Sequence, residues 1–174
     1  MPDSQLESFN RAPAERAAEV LRACNAAPRF AAEVLAGRPY PSGEALVARA
    51  EAVSRSLDWE EVGAALAAHP RIGDRVAGSS AEAAASRREQ SAMGTADDEL
   101  RAAVLEGNRA YEERFDTVFL IRAAGRSAEE MLAELRRRLG NSPADERVEV
   151  TEQLAEITAL RVQGIVEPGV EPSR

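Results

Sequence analysis

Trp59-Glu60-Glu61-Val62-Gly63-Ala64-Ala65-Leu66-Ala67-Ala68-His69-Pro70-Arg71-Ile72-Gly73 reads as an amphipathic helix brought to a stop. Pro70 forces the residue before it out of the helical region, so His69 stands at a helix C-terminus. It is the one histidine of the chain. Downstream, Ser79-Ser80-Ala81-Glu82 has the spacing of a capping box, and the helix it opens carries Ser86, Glu89 and Gln90 at i, i+3 and i+4, which share a face. An imidazole at one helix end, with a hydroxyl, a carboxylate and an amide on the next helix, is a small acid/base set. A capping role for His69 and a merely solvated face for the other three are the structural alternatives.

Outward from this stretch the same pattern recurs, and it predicts an all-α bundle of about seven to eight helices with one short extended segment. Pro13 suits a first helical turn, after which Ala17, Val20, Leu21 and Cys24 form one stripe to about Ala27. A short helix from Pro28 turns Phe30, Val34 and Leu35 inward and ends at Gly37; Ser42 caps a third with Leu46, Ala50, Val53 and Leu57 inside. Asp58 and Glu61 cap the helix that delivers His69. Beyond the Ser86 helix, which stops near Gly94, Thr95 and Asp98 are placed to cap a longer one with Leu100, Val104, Asn108, Tyr111 and Phe115 on one face. Asn108 is thus turned inward and needs a partner. Thr117-Val118-Phe119-Leu120-Ile121 is the one β-like run, too short to make a sheet, and is read as an extended segment crossing the core with its amides available. Ser127 and Glu130 cap a helix with Met131, Leu132, Leu135 and Leu139 that ends at Gly140, and Ser142-Pro143 opens the last helix. Residues 1–11 lack a sustained period and are expected to be a loose lead-in, 12–166 one helical domain, and 167–174 a disordered tail.

Composition narrows the function classes. Aromatics are only 4% while alanine is abundant, which favours closely packed helices. A net charge of −8 with both signs interspersed gives no footprint for nucleic acid or anionic membranes. The expected place is the cytoplasm, because no basic-then-apolar leader and no run of roughly 20 apolar residues is present. Cys24 is the one cysteine, read as a small buried residue, so no internal disulfide and no cysteine-based metal site is expected.

On the last helix, with Leu154 at 0°, Val150 falls at about 320°, Ile157 at about 300°, Ile165 at about 20° and Arg161 at about 340°. A guanidinium therefore rises from an apolar stripe, where it calls for a carboxylate such as Glu89 or an anionic ligand. Two readings follow from these groups: an enzyme built on them, or a non-catalytic helical interaction module whose Arg161 is paired with Glu89.

Taken in order, Trp59-Glu60-Glu61, His69-Pro70-Arg71-Ile72-Gly73, Ser86-x-x-Glu89-Gln90, Asn108-x-x-Tyr111-x-x-x-Phe115-x-x-x-Phe119, Gly125-Arg126-Ser127, Arg138-Leu139, Glu156-Ile157 and Arg161 resemble the 2-oxo-4-hydroxy-4-carboxy-5-ureidoimidazoline (OHCU) decarboxylases of urate breakdown. The resemblance spans about Ala17 to Val166. It implies an all-α domain, a homodimer, no metal and no organic cofactor, and a small ureidoimidazoline substrate that loses CO2 to give (S)-allantoin; a hydrolase or isomerase of a related cyclic ureide is the alternative enzyme on the same groups. It puts His69 and Glu89 in the catalytic places, and Pro70, Ser86, Gln90, Phe119, Leu120, Ile121, Arg122, Ala123 and Arg161 in the substrate-binding ones. The chain departs from the family pattern at Asn25-Ala26, where Gly-Ser is common, at Phe30, where tryptophan is common, at Asp116, where glycine is usual, and at Arg122, where a small or apolar residue is usual.

Overall fold

A computed structural model describes residues 4–74 and 78–167. Ten helices are found among them, more than expected, and no strand. By their contacts the described residues divide into two compact units, one of 4–65 and 154–167, the other of 66–74 and 78–153. Among the described residues no helix is long and apolar enough to cross a membrane.

The first unit holds α1 (Ser4–Arg11), α2 (Ala14–Cys24), α3 (Phe30–Ala36), α4 (Gly43–Arg55), most of α5 (Trp59–Leu66) and the later part of α10 (Pro143–Val166). The expected loose lead-in is in fact helical over α1, with Leu6 and Phe9 buried. Its short period was too weak to read; tertiary contacts hold it. Arg38 Nη1 donates to the carbonyls of Phe9 and Ala12, both at 2.9 Å, and Asn10 exchanges two 2.9 Å hydrogen bonds with the Tyr40 backbone. Pro13 is the N-cap of α2 rather than part of its first turn, and Val20 lies outside the buried stripe of Ala17, Leu21 and Cys24. The helix ends at Cys24, earlier than expected, because Asn25 is extended and fully buried. Its Nδ2 donates to Ser54 Oγ and Thr158 Oγ1, and its Oδ1 accepts from the Ala27 amide. Four polar groups are thereby satisfied inside the core.

The caps at Ser42 and at Asp58 form as expected. Ser42 Oγ accepts from the Ala45 amide. Asp58 and Glu61 make a reciprocal box, each backbone amide donating to the other side chain at 2.9 Å. Arg29 also binds Glu61 through two nitrogens, and with the Asp58 amide it holds the Glu61 carboxyl down to about 2.

The second unit contains α6 (Ala81–Glu89), α7 (Ser91–Gly94), α8 (Asp98–Phe115), α9 (Ala128–Arg138) and the start of α10. Two caps differ from the expectation: Ser80, not Ser79, caps α6, and Asp97, not Thr95, caps α8. In both places neighbouring residues offered suitable oxygens. Ser127 and Glu130 form the expected box on α9. Residues 117–123 take neither helix nor strand; Phe119, Leu120, Ile121 and Ala123 are buried, and Phe119, Ile121 and Ala123 share a core with Ile72, Val104, Tyr111, Met131 and Leu135. Of the expected tail, Glu167 is exposed after α10 and the remainder lies outside the described residues.

Candidate active site

His69 lies three residues past the end of α5, its amide donating to the Leu66 carbonyl at 2.9 Å, and both His69 and Pro70 are half-buried. The following loop is tied down in four ways. Arg71 grips Glu112 of α8 in a two-pronged ion pair, which holds the Glu112 carboxyl below its usual range. Ile72 packs in the core, and its carbonyl accepts from Asn108 Nδ2 at 2.8 Å. The partner that Asn108 required is thus a loop carbonyl. Finally the Gly73 amide donates to Gln90 Oε1 at 3.1 Å. Gly73 has φ +89°, and a Cβ there would make only ordinary contacts, 3.5 Å from Met93 and 3.7 Å from Val104, so it is the backbone conformation rather than space that calls for glycine.

That last hydrogen bond joins the His69 loop to the end of α6. Ser86 is fully buried on this helix, while Glu89, its last residue, and Gln90, its C-cap, are half-buried. The shared face predicted from spacing survives for Ser86 and Glu89; Gln90 has left helical geometry, with its side chain on the loop.

Residues 119–123 are held by groups to which the sequence reading gave no role in the site. Arg138, only 1% exposed, donates from Nη1 to the Leu120 carbonyl at 2.7 Å and from Nε and Nη2 to Glu146 Oε1 at 2.8 and 2.5 Å. Its guanidinium also sits 4.5 Å from the centroid of Phe119. Glu146, equally buried, accepts from Tyr111 Oη on the same oxygen and from Asn141 Nδ2 on the other. Burial, with the bond to Glu146, pushes the Tyr111 phenol up and keeps it a neutral donor. On the far side the Arg122 amide donates to Gln153 Oε1 at 2.8 Å, so this amide, expected to be available, is engaged. The signal that could have found Arg138 is the one used on α10: with Met131 at 0°, Leu135 falls at about 40° and Arg138 at about 340°, within the apolar stripe. Asp116 ends α8 in the left-handed conformation, φ +54°, which accounts for a preference for glycine there and which aspartate tolerates.

His69, Pro70, Ser86, Glu89, Gln90 and 119–123 thus lie within one unit, in which the Gly73–Gln90 hydrogen bond ties the His69 loop to α6 and Ile72 shares a core with Phe119, Ile121 and Ala123. Arg161 belongs to the other unit, where it is half-buried and Nη1 makes a long 3.5 Å hydrogen bond to the Ala23 carbonyl at the end of α2. Among the described residues no group of three or more His, Cys, Asp or Glu side chains is arranged to hold a metal ion.

A family model described as OHCU decarboxylase matches residues 10–163. The 2-oxo-4-hydroxy-4-carboxy-5-ureidoimidazoline decarboxylase of Amia calva is 35% identical over 144 residues, 80% of this chain and 81% of that protein. The uric acid degradation bifunctional protein TTL of Arabidopsis thaliana is 30% identical over 148 residues, 81% of this chain but 44% of its own length. Among solved structures, one of an OHCU decarboxylase in the presence of (S)-allantoin matches with TM-score 0.70 and 24% identity over 83% of this chain and 94% of that one. One of an (S)-allantoin synthase matches with TM-score 0.68 and 18% identity over 93% and 54%. At these identities the structural likeness speaks for the fold.

Proposed function

Since the chain belongs to the OHCU decarboxylase family, carboxy-lyases that convert 2-oxo-4-hydroxy-4-carboxy-5-ureidoimidazoline to (S)-allantoin and CO2 in urate breakdown, we propose that His69 is its proton donor and Glu89 its substrate-orienting carboxylate. The observation that carries this reading is the Gly73–Gln90 hydrogen bond, which fastens the His69 loop to the end of the helix bearing Ser86 and Glu89. In the proposed step the bond to the departing carboxylate breaks, CO2 leaves, and the electron pair delocalises into the unsaturated ring. Such a ring needs no external electron sink. His69 then delivers a proton to one face of the carbanion, and Glu89 fixes which face by hydrogen-bonding the substrate's hydroxyl or ring nitrogen. Pro70, Ser86, Gln90 and residues 119–123 are proposed to line the substrate site, and Arg161 to bind substrate, on resemblance to the family.

With substrate generated in place from urate by urate oxidase and hydroxyisourate hydrolase, the parent chain is expected to release CO2 and yield the S enantiomer. Glu89→Gln should keep its helix content yet return allantoin of reduced enantiomeric excess by chiral chromatography. Unchanged excess would remove Glu89 from the stereochemical role.

Residues 12–166 are proposed as the catalytic domain, the cytoplasm as its place, and a homodimer as its assembly. The outer face of α8 supports the last of these. Ala102, Leu105, Glu106, Arg109, Ala110 and Glu113 form an exposed stripe on it. Set antiparallel against a second copy, Glu106 meets Arg109 twice and Leu105 meets Ala110 twice, an arrangement that is self-complementary in charge. Sedimentation should give twice the monomer mass for the parent and a shift toward monomer for Arg109→Glu; an identical profile for both would exclude this face.

A further inference from the structure

We infer that Gln153 and Arg138 are positioning residues of the reaction, which together fix the two peptide planes around Ile121 so that the Ile121 amide is presented to the substrate. The inference rests on the reading above that residues 119–123 line the substrate site. A segment that is neither helix nor strand has no hydrogen-bond ladder to set its orientation, so side chains must do it. Here they do so on both sides of one residue. Arg138 Nη1 takes the Leu120 carbonyl at 2.7 Å, and Gln153 Oε1 takes the Arg122 amide at 2.8 Å.

The geometry of the peptide bond supplies the rest. In a trans peptide the C=O and N–H point to opposite sides of the chain, and the one cis peptide among the described residues is Arg38–Pro39. With the Leu120 carbonyl turned to Arg138, the Ile121 N–H faces away from it; with the Arg122 N–H turned to Gln153, the Ile121 carbonyl faces away from Gln153. The neighbours are fixed too. Phe119 lies 4.5 Å from the Arg138 guanidinium, and the carbonyls of Arg122 and Ala123 accept from Arg126 at 3.0 and 3.1 Å. The Ile121 amide is therefore a donor with a direction set before substrate arrives, the condition under which a backbone N–H stabilises developing negative charge without reorganisation. Glu146 and Tyr111 act one step further back, holding Arg138 in place.

Gln153 is the residue to test, being half-buried and outside the buried ion pair. In full-length Gln153→Leu, amide exchange at Arg122 should accelerate, KM should rise about tenfold, as for loss of one well-made hydrogen bond, and the S excess should fall, while helix content is kept. Gln153→Glu retains an oxygen acceptor at the same reach and should restore both the protection of Arg122 and the KM. Arg138→Lys, which keeps the charge toward Glu146 but loses the planar fork, should raise KM in the same direction. Unchanged Arg122 exchange in Gln153→Leu, or faster exchange with KM and chirality unaltered, would overturn the inference. Titrating (S)-allantoin into the parent separates this from the underlying reading: amide resonances of 119–123 that do not move would sink the substrate-site assignment itself, whereas moving resonances with an indifferent Gln153→Leu sink only the positioning role.

Discussion

Replacing His69 by asparagine is expected to lower kcat by about 10²–10⁴-fold, the range that a positioned general acid supplies, with the circular dichroism and melting temperature of the parent. Asparagine retains a polar side chain of similar reach but cannot deliver a proton. The fold should tolerate the change because His69 is half-buried in a loop held by other residues: Arg71 on Glu112, Ile72 in the core and on Asn108, and Gly73 on Gln90. Stereochemistry provides a second readout. Without enzymatic protonation, product that still forms takes its proton from solvent on either face and should approach the racemate. Near-parental turnover with full S excess would show that the proton comes from another group.

The second large effect falls on stability. Arg138→Met removes the positive charge that is paired with Glu146, a carboxylate residue only 2% exposed. Tyr111 and Asn141 still donate to the carboxylate, but neither carries charge. Breaking a buried pair from one side costs about 3–5 kcal/mol, a large share of the roughly 5–15 kcal/mol that holds a domain together. The melting temperature should fall by on the order of 10 °C. The double variant Arg138→Met with Glu146→Leu should regain most of the loss, since removing both charges also removes the unpaired one. A double variant no more stable than Arg138→Met alone would mean that charge pairing is not what Arg138 supplies, leaving its reach to the Leu120 carbonyl as the dominant contribution.

Legibility of the fold followed the range of the interaction. Ser42, the Asp58–Glu61 box and the Ser127–Glu130 box were readable because each bond closes over three residues. Ser79 and Thr95 were displaced by Ser80 and Asp97 because neighbouring oxygens compete, and spacing alone does not rank them. The helix of residues 4–11 escaped notice because eight residues give too few turns for a period, and its support comes from Arg38 and Tyr40.

The candidate site divides along the same line. His69 before a proline, Ser86 and Glu89 one turn apart, and a guanidinium on an apolar stripe are visible in the chain itself, since proline geometry and the helical repeat act between near neighbours. The sequence by itself determined a helical protein with these groups at helix ends and on helix faces. Only the tertiary structure decided their partners: Arg138 with Glu146 and the Leu120 carbonyl, Asn108 with the Ile72 carbonyl, Asn25 with Thr158 at a separation of 133 residues. Periodicity states that a buried polar group must be satisfied. Which distant group satisfies it depends on how the packed helices place those atoms, and no local rule contains that information.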